Sequence, residues 1–207
     1  MEFLLHILLG IGATYMGLML PGMVNMSTLR TSILAGRKAG LKFAIGASLV
    51  IASYAIVSMA LASYLNDHPE VVQRLKKIGF FIFILLSVFF FRRGKVEDSQ
   101  IGKARSVYPL LQGMVIAGMN IVVIPIFLGL TLLLKNRFDV PLDFPDNIGL
   151  VIGIWIGAVC LFSTYAVLAD KLISWLRPIA RNINYLLGAL MITFAFLILA
   201  ELGNVLT

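Results

Sequence analysis

The sequence predicts an all-α polytopic membrane protein, and three observations support that prediction. The 207-residue chain is 60% hydrophobic, only 13% of its residues are charged, and the charges leave long apolar runs between them. Soluble domains are typically about 45–50% apolar and about 25% charged, so this chain has too few charges to cover a surface in water. The composition excludes a soluble globular protein and a disordered chain. The single cysteine excludes a secreted disulfide scaffold.

Six charge-free runs define the predicted spans. A spanning helix needs about 20 mainly apolar residues, because the hydrocarbon core is about 30 Å thick and each residue adds about 1.5 Å. Five runs satisfy this alone. The third becomes long enough if it extends back through Val71 while Lys76 and Lys77 reach the interface, so six spans are predicted and five remain the alternative. The runs are residues 3–29, 43–66, 78–91, 106–134, 147–169 and 182–200.

The positions of the basic residues predict an orientation. The net charge of +7 lies between apolar runs, which favours orientation in a membrane over nucleic-acid binding. With six spans, the loops on one side hold twelve Lys and Arg residues and those on the other side hold five. The positive-inside rule assigns the first side to the cytoplasm. We therefore expect a multi-pass protein of the cell (inner) membrane with both termini outside.

The connector 92–105 is the most polar segment and divides the chain into two halves, 1–91 and 106–207. Each half holds three predicted spans. Because three is an odd number, the second half begins on the side of the membrane opposite to the first. If the halves share a fold, residues 92–105 form a cytoplasmic linker between two inverted three-helix repeats, as in many secondary transporters.

The first helix of each half is predicted to be broken. Residues 3–29 and 106–134 are longer than a bilayer requires, and each contains helix-breaking residues and one asparagine. The first contains Pro21-Gly22 and Asn25, and the second contains Asn120 and Pro125. Interrupted helices at corresponding positions indicate the binding site of a transporter. The alternative is that these residues only kink the helices or bond a neighbouring helix.

The predicted site uses uncharged polar groups to bind a small zwitterionic solute. Asn25 and Asn120 are the expected polar anchors, with Pro21, Gly22 and Pro125 shaping the cavity. A second set is Ser163, Thr164 and Tyr165 on the fifth span. No charged residue lies in the middle of a span, and no catalytic arrangement or metal-ligand cluster is apparent. No enzymatic activity, metal or cofactor is therefore expected.

One glycine pattern raises the question of an oligomer. Gly149, Gly153 and Gly157 share one face of the fifth span. Small residues at this spacing allow close helix packing. The face is predicted to be either an intramolecular seam or the surface of a homodimer.

The sequence resembles the LysE/RhtB-type amino-acid exporters of the lysine exporter superfamily. Pro21-Gly22, Leu29-Arg30-Thr31-Ser32 and Ala35-Gly36-Arg37-Lys38-Ala39-Gly40 are similar to the family's opening motif without a gap. Gly113 with Asn120, and Asn184 through Leu190, are similar to its fourth and sixth helices. The chain departs from the family where a second proline and an Asn or Asp are replaced by Met23 and Val24.

The resemblance implies a six-helix exporter of amino-acid-like solutes. It also implies coupling to the proton-motive force, although no residue for that coupling matches. The alternative function is a non-transporting scaffold or assembly subunit on the same fold, which the altered polar motif would suit.

Overall fold

The computed structural model describes residues 2–94, 108–138, 148–172, 174 and 182–204, and this part of the chain folds into helices joined by short turns. Eight of these helices position the features discussed below. They are α1 (Glu2–Leu18), α2 (Met23–Ala35), α3 (Arg37–Asp67), α4 (Pro69–Arg93), α5 (Pro109–Gly118), α6 (Val123–Phe138), α7 (Ile148–Val167) and α8 (Ile183–Asn204).

The predicted breaks in the first and fourth spans are confirmed. Helices α1 and α2 meet at a bend of 87°, and α5 and α6 meet at a bend of 68°. The first break follows Leu18 and holds Pro21, as expected. The second break lies at residues 119–122 rather than at Pro125, which occupies the first turn of α6. Proline is tolerated there because the first N–H groups of a helix have no partner within it.

Helices α3 and α7 are each long and apolar enough to cross a membrane, and each bent pair can form one further span. The described residues therefore contain up to four spans by length and composition. Helices α4 and α8 coincide with the third and sixth predicted spans. The six-span inverted repeat remains a prediction. Most of the predicted linker, from residue 95 onward, lies outside the described residues.

The contacts divide the chain into two units. One contains residues 1–64 and 103–176, and the other contains residues 65–102 and 177–207. The first unit thus combines helices from both predicted halves. The division into 1–91 and 106–207 stays a prediction, because a repeat boundary and a packing boundary are different properties.

In the first unit, two helix pairs pack with backbones in close approach. A Cβ added to Gly46 of α3 would collide with the carbonyl oxygen of Leu110 in α5, and one on Gly113 of α5 would collide with that of Phe43 in α3. Helices α1 and α7 repeat this arrangement. Gly10 faces the Leu150 carbonyl, and Gly153 faces the Ile7 carbonyl. Such seams form only where the side chains are small.

The glycine face of α7 is thereby an intramolecular seam. Gly149 packs against Phe3 and His6, while Gly157 packs against Ile11 and Thr14, all in α1. The Thr14 hydroxyl also donates to the Ile154 carbonyl at 3.2 Å. The contacts with α1 account for the three glycines without a homodimer at this face.

The second unit pairs α4 with α8. Gly188 lies against the Phe91 ring, and the Ser87 hydroxyl donates to the Gly188 carbonyl at 2.9 Å. Asn184 donates to the carbonyl of Gly94, which follows the last residue of α4, at 3.0 Å. The motif at the start of the last helix thus has a packing role.

Gly10 and Gly12 provide a matched test of the α1–α7 seam. A Cβ at Gly10 would meet the backbone of Leu150 and Ile154, whereas a Cβ at Gly12 has open space around it. We expect Gly10→Ala to destabilise the purified protein by about 1–3 kcal/mol, because the backbone of α7 must move away. Gly12→Ala should match the wild type. Thermal unfolding in detergent measures both, and equal Tm values for the two variants would contradict the seam.

Candidate functional site

The first break is held together by Asn25. This side chain is only 3% exposed, and its Nδ2 donates to the carbonyl oxygens of Leu18 at 2.7 Å and Leu20 at 2.6 Å. The Leu18 carbonyl loses its helical partner where α1 ends, and the Leu20 carbonyl, in the break itself, also accepts from the Gly22 N–H at 2.7 Å. Within a bilayer no water is available to replace the lost helical bond, so a side chain must supply one. Asn25 thus uses both of its N–H donors to stabilise the break.

Tyr165 of α7 bonds the remaining carbonyl of the first break. Its hydroxyl donates to the Met19 carbonyl at 2.7 Å, which lies between the two carbonyls that Asn25 bonds. Three successive carbonyls, from Leu18 to Leu20, are therefore bonded by two side chains. Of all the predicted site residues, Asn25 and Tyr165 are the pair that these bonds bring together.

The second break is held by α3. The Tyr54 hydroxyl donates to the Gly118 carbonyl at 2.5 Å, where α5 ends. One turn later, the Ser58 hydroxyl donates to the Ile124 carbonyl at 2.9 Å, where α6 begins. Tyr54 and Ser58 are polar residues within the second apolar run, but the sequence does not indicate that they face a break in another helix.

Asn120 is available for other contacts. It lies in the second break, where its backbone N–H donates to Ala117 and its carbonyl accepts from Val123. Its side chain is half-buried and makes no hydrogen bond within the part of the chain that the structure describes. Asn120 and Asn25 thus differ: the Asn25 donors are engaged, and the Asn120 side chain is free.

The other predicted site residues are placed as follows. Pro21 is buried in the first break, and Gly22 precedes α2 in an extended conformation that any residue can adopt. Pro125 is exposed on α6. Thr164 is exposed and donates to Cys160 within its own helix, and Ser163 is half-buried beside it. Their roles in binding stay predictions.

The two bent pairs contact each other reciprocally. Helix α1 packs against α6, and α2 packs against α5. Near the breaks, Gly17 of α1 lies against Ile126 and Leu130 of α6. Gly17 is two residues before the first break and Ile126 is four residues after the second, so the breaks lie close together where the pairs cross.

Sequence reasoning missed two further residues. Arg30 was placed in a loop, but α2 continues past it to Ala35, so it lies within the bent pair. Its Nε and Nη2 atoms are buried and have no hydrogen-bond partner among the described residues, and the same holds for the Oε1 atom of Gln112 in α5. No group of potential metal ligands occurs in the part of the chain that the structure describes.

Comparisons with known proteins give one match. The family of LysE type translocators matches residues 15–202, which include both breaks and the α3–α5 glycine seam. No curated protein and no solved structure matches the chain. Since the match covers most of the sequence, the chain belongs to the LysE type translocator family and is a multi-pass membrane transporter.

Proposed function

We propose that the protein exports amino acids or similar small zwitterionic solutes by secondary-active, alternating-access transport. The observation that carries the proposal is the pair of broken helices, each with its freed carbonyls bonded by hydroxyls from another helix. Broken helices that meet within the bilayer are the usual setting of a transporter site. The resemblance to amino-acid exporters supports the direction of transport and the class of solute.

The exchange of partners between the two halves supports the inverted repeat. The first half breaks in α1–α2, and its break is bonded by Tyr165 of α7 in the second half. The second half breaks in α5–α6, and its break is bonded by Tyr54 of α3 in the first half. The glycine seams follow the same rule, since α1 pairs with α7 and α5 pairs with α3. Two halves related by a two-fold axis would produce this pattern.

The mechanism we propose is an exchange of hydrogen bonds at the breaks. The hydroxyls of Tyr54 and Tyr165 hold the breaks in one arrangement, and rocking of one half against the other would release them. The exposed carbonyls and the free Asn120 side chain would then bond polar groups of the solute as it passes the breaks. Access would thereby pass from one side of the membrane to the other without unpaired backbone groups.

The scaffold alternative predicts no solute flux. Its support was the altered polar motif, and no contact in the described residues favours it. The LysE family consists of transporters, so no enzymatic role is proposed. Efflux of a mixture of amino acids from proteoliposomes, with each amino acid quantified, separates the two functions. Flux no higher than that of empty liposomes for every amino acid would contradict the export proposal.

The two asparagines should respond differently to truncation. We expect Asn120→Ala to lower flux at least tenfold while Tm stays near that of the wild type, because this side chain makes no bond that the fold needs. Asn25→Ala should lower both flux and stability, since the buried Leu18 carbonyl loses its donor at a cost of about 1–3 kcal/mol before relaxation, and the Leu20 carbonyl keeps only the Gly22 N–H. Wild-type flux in Asn120→Ala, or an unchanged Tm in Asn25→Ala, would contradict these roles.

The break hydroxyls can be tested by removing one oxygen at a time. Tyr54→Phe and Tyr165→Phe should each change the transport rate severalfold, while stability falls by only about 0.6–1 kcal/mol, the typical value of a hydrogen bond in a membrane protein. Tyr185→Phe is the control, because Tyr185 is exposed on α8 and its ring packs against Phe91 of α4. Flux is measured in proteoliposomes at matched protein density. If all three variants transport alike, the tyrosines do not control the breaks.

A further inference from the structure

Arg30 and Gln112 share an unusual property. Other buried polar side chains of α2 are bonded: Thr28 donates to Val24, Thr31 to Ser27 and Ser32 to Ala166. In contrast, the Arg30 Nε and Nη2 atoms and the Gln112 Oε1 atom are buried without a partner among the described residues. Buried polar atoms are nearly always bonded, so these three atoms require an explanation.

The two residues lie at similar distances from the breaks, on helices that pack together. Helices α2 and α5 pack together. Arg30 is eight residues beyond Gly22, the last residue of the first break, and Gln112 is seven residues before Met119, the first residue of the second. At about 1.5 Å per residue, Arg30 lies about 12 Å and Gln112 about 10 Å from its break. Because the breaks lie close together, these similar distances place the two residues at corresponding positions along the α2–α5 seam.

The unpartnered atoms are two N–H donors and one acceptor, a combination that could bind the carboxylate and the ammonium group of a zwitterion. A guanidinium remains charged at all relevant pH values and presents a planar fork of N–H donors that matches a carboxylate. Arg30 is half-buried, with its Nε and Nη2 atoms shielded from solvent, and a bound carboxylate would offset the loss of their hydration. The Gln112 Oε1 atom is an acceptor, which suits an ammonium group. One α-amino acid carries both groups.

We infer that the α2–α5 seam holds a binding site for α-amino acids, in which Arg30 binds the carboxylate and Gln112 accepts a hydrogen bond from the ammonium group. This inference rests on the proposed function and specifies its substrate class. The site lies about 10 Å from the breaks along the helices. A solute bound there bridges α2 and α5, which belong to different predicted halves, so binding resists the separation of those halves on this side.

The test uses the purified full-length protein and thermal-shift titrations. The wild type is first screened with the twenty standard amino acids. The strongest binder is then compared with its amide, which lacks the carboxylate, and with acetate, which lacks the ammonium group. Selective binding stabilises the folded state and gives an apparent Kd. Arg37→Gln is the matched control, because Arg37 is exposed seven residues further along the chain and the charge change is identical.

Arg30→Gln is expected to raise the apparent Kd for the amino acid by about 10- to 100-fold, the value of a hydrogen bond to a charged group. Its Kd for the amide should be unchanged, and acetate should no longer stabilise it. Gln112→Leu should weaken the binding of the amino acid and of the amide by about the same factor, and the binding of acetate should not change. Wild-type affinity in Arg30→Gln, or equal weakening of amino acid and amide, would overturn the assignment.

Two safeguards keep the outcomes distinct. If Arg30→Gln is not monodisperse, Arg30→Lys replaces it, because lysine keeps the charge without the planar fork. Arg30→Lys should still bind the amino acid more weakly relative to its amide than the wild type does. If both Arg30 variants fail to fold, the Gln112→Leu pattern decides, and equal weakening of amino acid, amide and acetate overturns the site. If no amino acid stabilises the wild type, the proposed function fails. In that case acetate alone tests the anion site at Arg30. The anion site is supported if acetate stabilises the wild type and Arg37→Gln but not Arg30→Gln. It is overturned if acetate does not stabilise the wild type.

Discussion

The backbone carbonyls released at the two breaks are the constraint on which the rest of this structure depends. A helix can stop within a bilayer only if its last carbonyls find new donors, because no water is present to bond them. At the first break, Asn25 and Tyr165 bond the carbonyls from Leu18 to Leu20. At the second, Tyr54 bonds the carbonyl of Gly118, the last residue of α5, and Ser58 adds a bond to Ile124 at the start of α6. The bends of 87° and 68° are stable because these donors are in place.

The donors in turn require close helix packing. A tyrosine in α7 reaches Met19 only if α7 lies directly against α1, and the glycines at Gly10 and Gly153 allow the two backbones to approach. Gly46 and Gly113 do the same for α3 and α5, which brings Tyr54 to the second break. The seams and the breaks therefore depend on each other. A glycine seam near one end of a helix pair sets the position of a hydroxyl further along the same pair.

The sequence predicts the breaks well and their partners poorly. Pro21, and runs longer than a bilayer, are local features, so the bends could be located to within a few residues. The second break lies at residues 119–122 and not at Pro125. A proline is tolerated in the first turn of α6, so Pro125 marks the start of the new helix. Which helix supplies the hydroxyls depends on contacts between residues more than sixty positions apart, and periodicity contains no information about them.

Arg30 was misplaced for a related reason. The first basic residue after an apolar run was assigned to a loop, but α2 restarts at Met23 and its own capping and length determine where it ends. Gly36, with φ at +86°, ends that helix, since this conformation is easily adopted only by glycine. The bend therefore shifts the helix end beyond Arg30 and brings a charge inside the protein, which a straight span counted from residue 3 cannot show.

The position of Arg30 also explains how a chain with so few charges could recognise a charged solute. In the proposed site, a single guanidinium provides the positive charge for the carboxylate, and the ammonium needs only a neutral acceptor because the ligand is neutral overall. A second, acidic residue would pair with Arg30 in the absence of solute and compete with the carboxylate. The scarcity of acidic residues near the spans, which gives no proton relay, is thus a condition for keeping Arg30 available to its ligand.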